Sequence, residues 1–225
     1  MAEQKTPEVK GLLRDFMLKV PAEIYSCSGI KILGRRIKSV LFSTDASIIR
    51  NTNADAVIAV YPFTPQPVIT QAVMTAADVP VFVGVGGGLT QGTRVVNLAL
   101  HAEFQGALGV VVNAPTSNEI IREVAHLIDL PIVVTVVSKD DDIAARLDAG
   151  ASILNVSAAA ATPECVRIIR ESYPDIPIIA TGGPSGETIL KTIAAGANAI
   201  TWTPPSNGEV FKGIMDNYRK GLPHP

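Results

Sequence analysis

The sequence is short of the residues that mark several whole classes of protein. Aromatic residues make up 5% of its 225 positions, and there are two cysteines and three histidines. Cys27 and Cys165 lie far apart with no metal-ligand spacing around either, which excludes a disulfide framework and a zinc motif. No apolar run approaches the ~20 residues needed to span a bilayer. The opening residues MAEQKTPEVK carry no apolar signal segment, so a reducing cytoplasm is the expected location. Charge of one sign is also scarce. Nineteen basic residues against 21 acidic ones give a net charge of -2, with no basic cluster of the kind that binds nucleic acid or a membrane surface. The expected partner is therefore a small molecule.

What the sequence does have is small and branched apolar residues, 47% hydrophobic in all with a mean hydropathy of +0.30. That composition suits strands covered on both faces. From Ser39 onward, apolar runs and helix-period segments alternate without a break. Eight strands are predicted at 40–43, 56–61, 81–85, 108–113, 132–137, 152–157, 178–181 and 199–203. Each is followed by a helix, at 45–51, 66–77, 93–104, 118–128, 141–148, 163–172, 186–195 and 209–219.

A finer repeat runs through this series. Asp-x-Pro precedes three strands, at Asp78, Asp129 and Asp175, while Gly-Ala precedes the strands between them, at Gly106, Gly150 and Gly196. The offsets are 51 and 46 residues for the first set and 44 and 46 for the second, so the repeating unit is a pair of βα units. Eight even units with no break point predict an α/β fold closed as a single (β/α)₈ TIM barrel over residues 39–225, rather than an open doubly wound sheet. Residues 1–38 form an arm, with an amphipathic helix expected at 6–19 and short strands at 23–26 and 30–33. The arm either closes the barrel bottom or contacts another subunit, the latter making the protein a homo-oligomer. The run Arg35, Arg36, Lys38 reads as a solvated edge.

In a closed barrel the strand carboxyl ends and the βα loops gather at one mouth, where active sites of this architecture sit. This rule selects Ser43, Thr44 and Asp45, Tyr61 and Phe63, Gly86, Gly87, Gly88 and Thr90, and Asn113. From the second half it selects Ser138 and Lys139, Asn155 and Ser157, Thr181, Gly182 and Gly183, and Thr201, Thr203 and Ser206. Most are neutral and polar. Thr181-Gly182-Gly183 ends a buried strand just before a helix, and glycines there let backbone N–H groups approach an anion at the helix terminus. A tight turn with no ligand is the competing reading. Gly86, Gly87, Asn113, Asn155 and Ser157 are substrate-binding candidates, the glycine run being either room for a ligand or a flexible loop. It lacks the dinucleotide fingerprint, since Leu89 stands where the third glycine is required, and no cofactor is expected.

The two C-terminal units, with Ile178-Ile179-Ala180-Thr181-Gly182-Gly183 and then Ala195-Gly196-Ala197-Asn198-Ala199-Ile200, resemble the phosphate-binding half of the ribulose-phosphate-binding barrel superfamily. That group includes sugar-phosphate epimerases, the tryptophan-pathway barrels, thiamine-phosphate synthase and keto-deoxy-phosphogluconate aldolases. The likeness in unit order covers Ser39 to Ser206, and no single family within the group is matched. It implies a small phosphorylated metabolite as ligand, with Gly182 and Gly183 donating N–H groups to the phosphate and Thr203 and Ser206 completing the cup. Where the group has Gly-Ser after the eighth strand, this chain has Thr203-Pro204-Pro205-Ser206, and prolines remove donors. The group's known catalytic signatures are absent: the sixth strand has no Schiff-base lysine, and Val83 to Gly88 replaces the acidic-lysine motif of the third.

Charged mouth positions reduce to Asp45 and Lys139. A carboxylate and an amine in a partly dry cavity can exchange protons with a substrate, which predicts a lyase or isomerase. Asp45 is equally placed to cap the helix that follows it, and Lys139 to stand in solvent. A hydrolase of a small molecule and a non-catalytic sensor of a phosphorylated metabolite are the alternative functions.

Overall fold

The structure is a computed structural model and describes residues 7–9, 11 and 16–224. The helix expected at 6–19 lies largely outside the described residues. Eight parallel strands close into a barrel: β3 (Ser39–Phe42), β4 (Ala56–Ala59), β5 (Val81–Gly86), β6 (Gly109–Val112), β7 (Ile132–Val136), β8 (Ile153–Val156), β9 (Ile178–Thr181) and β10 (Ala199–Trp202). β10 pairs with β3 through Thr201 and Val40, so no edge is left open. A helix follows each strand: α1 (Ala46–Arg50), α2 (Pro67–Ala76), α3 (Thr93–Phe104), α4 (Asn118–Leu127), α5 (Ile143–Asp148), α6 (Thr162–Ser172), α7 (Gly186–Ala194) and α8 (Asn207–Arg219). The fold is a (β/α)₈ barrel of the α/β class, as the repeat predicts.

Because strand side chains alternate, each Val- and Ile-rich strand feeds two cores. Leu41, Val57, Val83, Val110, Val134, Leu154, Ala180 and Ile200 point outward and pack under the helices, with Val95, Val124, Val166 and Ile189 among their partners. Val40, Ile58, Phe82, Val111, Val133, Ile153 and Ile179 fill the barrel interior.

The two loop marks have distinct physical roles. After α3, α5 and α7, Gly106, Gly150 and Gly196 take φ of 84°, 112° and 113°. The N–H of the alanine that follows each reaches back five residues, Ala107 to Ala102, Ala151 to Arg146 and Ala197 to Thr192. This is the six-to-one bond of a Schellman stop, which needs the left-handed residue that glycine supplies. After α2 and α4 the chain leaves the helix extended instead. The proline of each Asp-x-Pro then offers its carbonyl to a neighbouring strand, Pro80 to Val57, Pro131 to Val110 and Pro177 to Leu154.

The arm corrects one expectation and resolves another. Residues 23–26 are not a strand; Ala22–Ser26 forms a 3₁₀ turn that buries Ile24. The strand expected at 30–33 exists as β1 (Ile30–Ile32) and pairs with β2 (Arg35–Ile37) across a two-residue turn, Leu33-Gly34, whose φ values are both positive. That turn matches the twist of a hairpin. Ile30, Ile32 and Ile37 are buried against Val40, Ala56 and Phe82, so the hairpin closes the barrel bottom. Arg35 and Arg36 remain exposed, as a solvated edge should.

Candidate active site

The mouth is built by the last inward residues of seven of the eight strands, β5 contributing none. Phe42, Val60, Asn113, Thr135, Asn155, Ser157, Thr181, Thr201 and Thr203 surround a cavity of about 280 Å³ floored by Ile58 and Val111. Below that floor the interior is aliphatic apart from Phe82, so polarity begins where packing ends.

The polar lining is only partly satisfied by itself. Asn155 Nδ2 donates to Thr135 Oγ1 at 3.3 Å and Thr181 Oγ1 donates to Ser157 Oγ at 3.2 Å. Asn155 Oδ1 and Thr201 Oγ1 are buried with no hydrogen-bond partner, and Thr201 is only 8% exposed. A buried polar atom left unpaired costs about 1–3 kcal/mol. Of the four such atoms among the described residues, two lie in this one cavity, which marks it as the candidate site.

Thr201 and Thr203 also line a second hollow, of about 360 Å³, with Thr181, Gly183, Ser185 and Gly186. This is the region of the expected cup. Gly182 cannot carry a side chain, since a methyl there would lie 2.7 Å from Ile200 and 2.8 Å from Ile189. Gly183 has φ of 78°, and its missing side chain leaves room for Thr188, whose hydroxyl forms a capping box with Ser185 at the start of α7. Gly183 and Gly186 therefore line one hollow at the positive end of the helix, and among the described residues no lysine or arginine lines it. Ser206 is elsewhere: it caps α8, accepting from Glu209 N at 3.3 Å and donating to Glu209 Oε2 at 2.7 Å.

Thr203 joins this side to a third hollow, of about 700 Å³, lined by Phe42, Ser43, Asp45, Tyr61, Asn113, Ser206 and Glu209. Asp45 is the N-cap of α1. Its Oδ1 accepts from Ser47 N at 2.8 Å, Ser47 Oγ at 2.6 Å and Ile48 N at 3.1 Å. The Ser47 hydroxyl, aided by the backbone amides of Ile48 and Ser47, holds the carboxyl below the usual aspartate range. Glu209 is lowered likewise by Ser206, first through its hydroxyl and then through its amide. Lys139 is exposed and lines none of these hollows. It follows β7, four strands from β3 in a ring of eight, so Asp45 and Lys139 sit on opposite sides of the mouth.

The Gly86-Gly87 stretch is accounted for by packing. A methyl on Gly86 would meet Val95 of α3, and one on Gly87, where φ is 109°, would run into Asn113. Neither glycine lines the mouth cavity. His101 and His126 are exposed on helices. Among the described residues no group of three His, Cys, Asp or Glu side chains is placed to hold a metal ion. A further hollow of about 490 Å³ lies at the opposite end, between the hairpin and the loops before β7 and β8, and none of the residues lining it, among those described, has an unpartnered buried polar atom.

Thr135 and Glu209 were not singled out by the sequence. Thr135 was legible in principle, because it shares the inward face of its strand with Val133. Glu209 becomes a mouth residue only through the turn at Pro204-Pro205.

No family model matches the chain and no curated protein sequence does. Solved structures match at the level of fold. A phosphonopyruvate hydrolase bound to oxalate and Mg++ superposes with a TM-score of 0.61 at 12% identity, over 83% of this chain and 84% of that one. An aldolase, QR15, gives 0.56 at 20% identity over 81% and 95%. A mandelate oxidase variant gives 0.59 at 17% identity over 84% and 70%.

Proposed function

We propose that the protein is a barrel enzyme that binds a small phosphorylated or carboxylate metabolite across its mouth and acts on it by proton transfer, as a lyase or isomerase. The observation that carries this reading is the pair of orphaned buried atoms, Asn155 Oδ1 and Thr201 Oγ1, in the central cavity, the second of them on a residue that also lines the hollow with Gly183 and Gly186. The ligand's anionic group lies in the cup on the amides of Gly183 and Gly186 with the Thr201 hydroxyl, and Thr181 and Thr203 at its rim. Asn113, Asn155 and Ser157 bind the body of the ligand, and its far end extends toward Asp45. Phosphorylated and carboxylate ligands both fit the neutral lining, and the fold neighbours that act on phosphonopyruvate or hold oxalate support that range.

Asp45 is the one carboxylate of the sequence-selected mouth set that lines a hollow. Oδ1 is committed to the helix cap, so Oδ2 is the atom that takes the substrate proton. Lys139 stands across the mouth and takes no part in this scheme. A thermal-shift screen over phosphorylated and carboxylate metabolites, followed by NMR of each stabilising compound, tests the reading. A hit that is converted, and no longer converted by Asp45→Asn, supports it. Conversion that survives Asp45→Asn removes the assigned base, and a hit that binds unchanged favours the sensor function.

A further inference from the structure

The arm brings a carboxylate to the edge of the same cup. Glu23, in the 3₁₀ turn Ala22–Ser26, lies against Gly186 at the first turn of α7: a methyl built on Gly186 would stand 2.8 Å from Glu23 Cδ and closer still to its Oε1. Pro21, two residues earlier, lines the cup. Among the described residues the Glu23 carboxylate has no hydrogen-bond or ion-pair partner, and it lies beside the positive end of α7. The cup itself has a buried hydroxyl without a partner, Thr201 Oγ1, an independent sign that something else is meant to bind in it.

We infer that Glu23 sets the charge selectivity of the cup. A fixed negative charge at the α7 terminus repels a bound anion in proportion to that anion's own charge. It therefore penalises a dianion more than a monoanion, and biases the site toward a carboxylate or a singly charged phosphate ester over a fully ionised phosphate. Among the described residues no lysine or arginine lines the cup to offset this repulsion. The inference rests on the cup assigned above and adds a residue from outside the barrel strands to it.

Sulfate and methanesulfonate are the probes, because both are tetrahedral and they differ by one unit of charge. Each is titrated at constant ionic strength into ¹⁵N-labelled wild-type protein, Glu23→Gln and Glu23→Ala, following the amides of Gly183 and Gly186. Removing the charge should tighten sulfate about tenfold and methanesulfonate about threefold, since the logarithm of the change scales with ligand charge. Both variants should agree, because the effect comes from the lost charge and not from the shape of the replacement. Equal changes for the two anions, or none, overturn the role of Glu23 while leaving the cup in place. Failure of both anions to move these amides in any of the three proteins overturns the cup as well.

Discussion

The two ends of the barrel are made from the same repeat and differ in how completely their polar groups are paired. At the bottom, Arg170 donates from Nε and Nη2 to Gly196 O and from Nη1 to the carbonyls of Tyr173, Pro174 and Ile176, and Nη2 also reaches Asn198 Oδ1. Asn198 in turn accepts from Ile178 N at 3.0 Å and donates to Ser28 Oγ at 2.9 Å, tying the arm to the barrel. Asp55 accepts from Lys38 N and Ser39 N. At the mouth, Asn155 and Thr201 each keep an unpaired buried oxygen, and no charged residue among those described lines the central cavity. The bottom has its own unpaired buried oxygen, Gln105 Oε1 after α3, but only the mouth gathers two of them in one cavity, at the end where active sites of this architecture sit.

The comparison breaks most readily at the bottom. Arg170→Ala strips partners from four carbonyls and an amide oxygen, and should cost about 3 kcal/mol in denaturant unfolding with no loss of anion binding. A loss under 1 kcal/mol would show that the carbonyls find water and that the bottom is no better paired than the mouth. Asn198→Ala is the milder version, about 2 kcal/mol, since it leaves the guanidinium on its carbonyls while releasing Ser28 and Ile178.

Asp45 belongs to both descriptions, and substitution separates them. Asp45→Ala should lose about 1 kcal/mol through the cap and also lose activity, whereas Asp45→Asn retains a good capping side chain and should lose activity alone. The cap has a pH signature. Because the folded-state pKa lies below the ordinary aspartate value of 3.8, its stabilisation is full above that value and is lost as the pH falls through the lowered pKa. The stability gap between wild type and Asp45→Ala, measured by urea unfolding, should accordingly be constant from neutral pH to about 5 and shrink as pH is lowered through the acid range. A gap that grows on acidification would contradict the assigned shift.

The barrel was legible because two different stop signals, Gly-Ala and Asp-x-Pro, punctuate it, and each has a backbone reason visible in the structure. Strand ends agree with the sequence reading to within one or two residues for most units. The arm was harder. Residues 23–26 include Ile24 and Tyr25, side chains that favour strands, yet have no strand to pair with and close into a 3₁₀ turn. The hairpin partner Arg35–Ile37 looks like a charge run, because only Ile37 of its three residues turns inward. In the site, glycines were ambiguous in sequence: Gly183 opens onto a hollow, whereas Gly182 is packed against Ile200 and Ile189 with its amide on Thr201 O, and Gly86 and Gly87 are filled in by Val95 and Asn113. No local signal separates the open glycine from the packed ones, since the difference lies in what packs behind them. Nor could spacing show that Glu23 reaches Gly186, 163 residues further along the chain.

The smallest expected effect is the most direct. Thr201→Val keeps the shape of the buried side chain and removes the orphaned hydroxyl, so its two consequences should have opposite signs. Thermal unfolding is measured for wild type and Thr201→Val, each alone and with a screened ligand at saturation. Without ligand the variant should be as stable as wild type or more stable, by up to about 1 kcal/mol, because an unpaired polar atom has gone. With ligand the order should reverse, wild type gaining more by about 1 kcal/mol or above. A variant less stable on its own, with an undiminished gain from ligand, would mean that the hydroxyl serves the fold and that the mouth is not where the ligand binds.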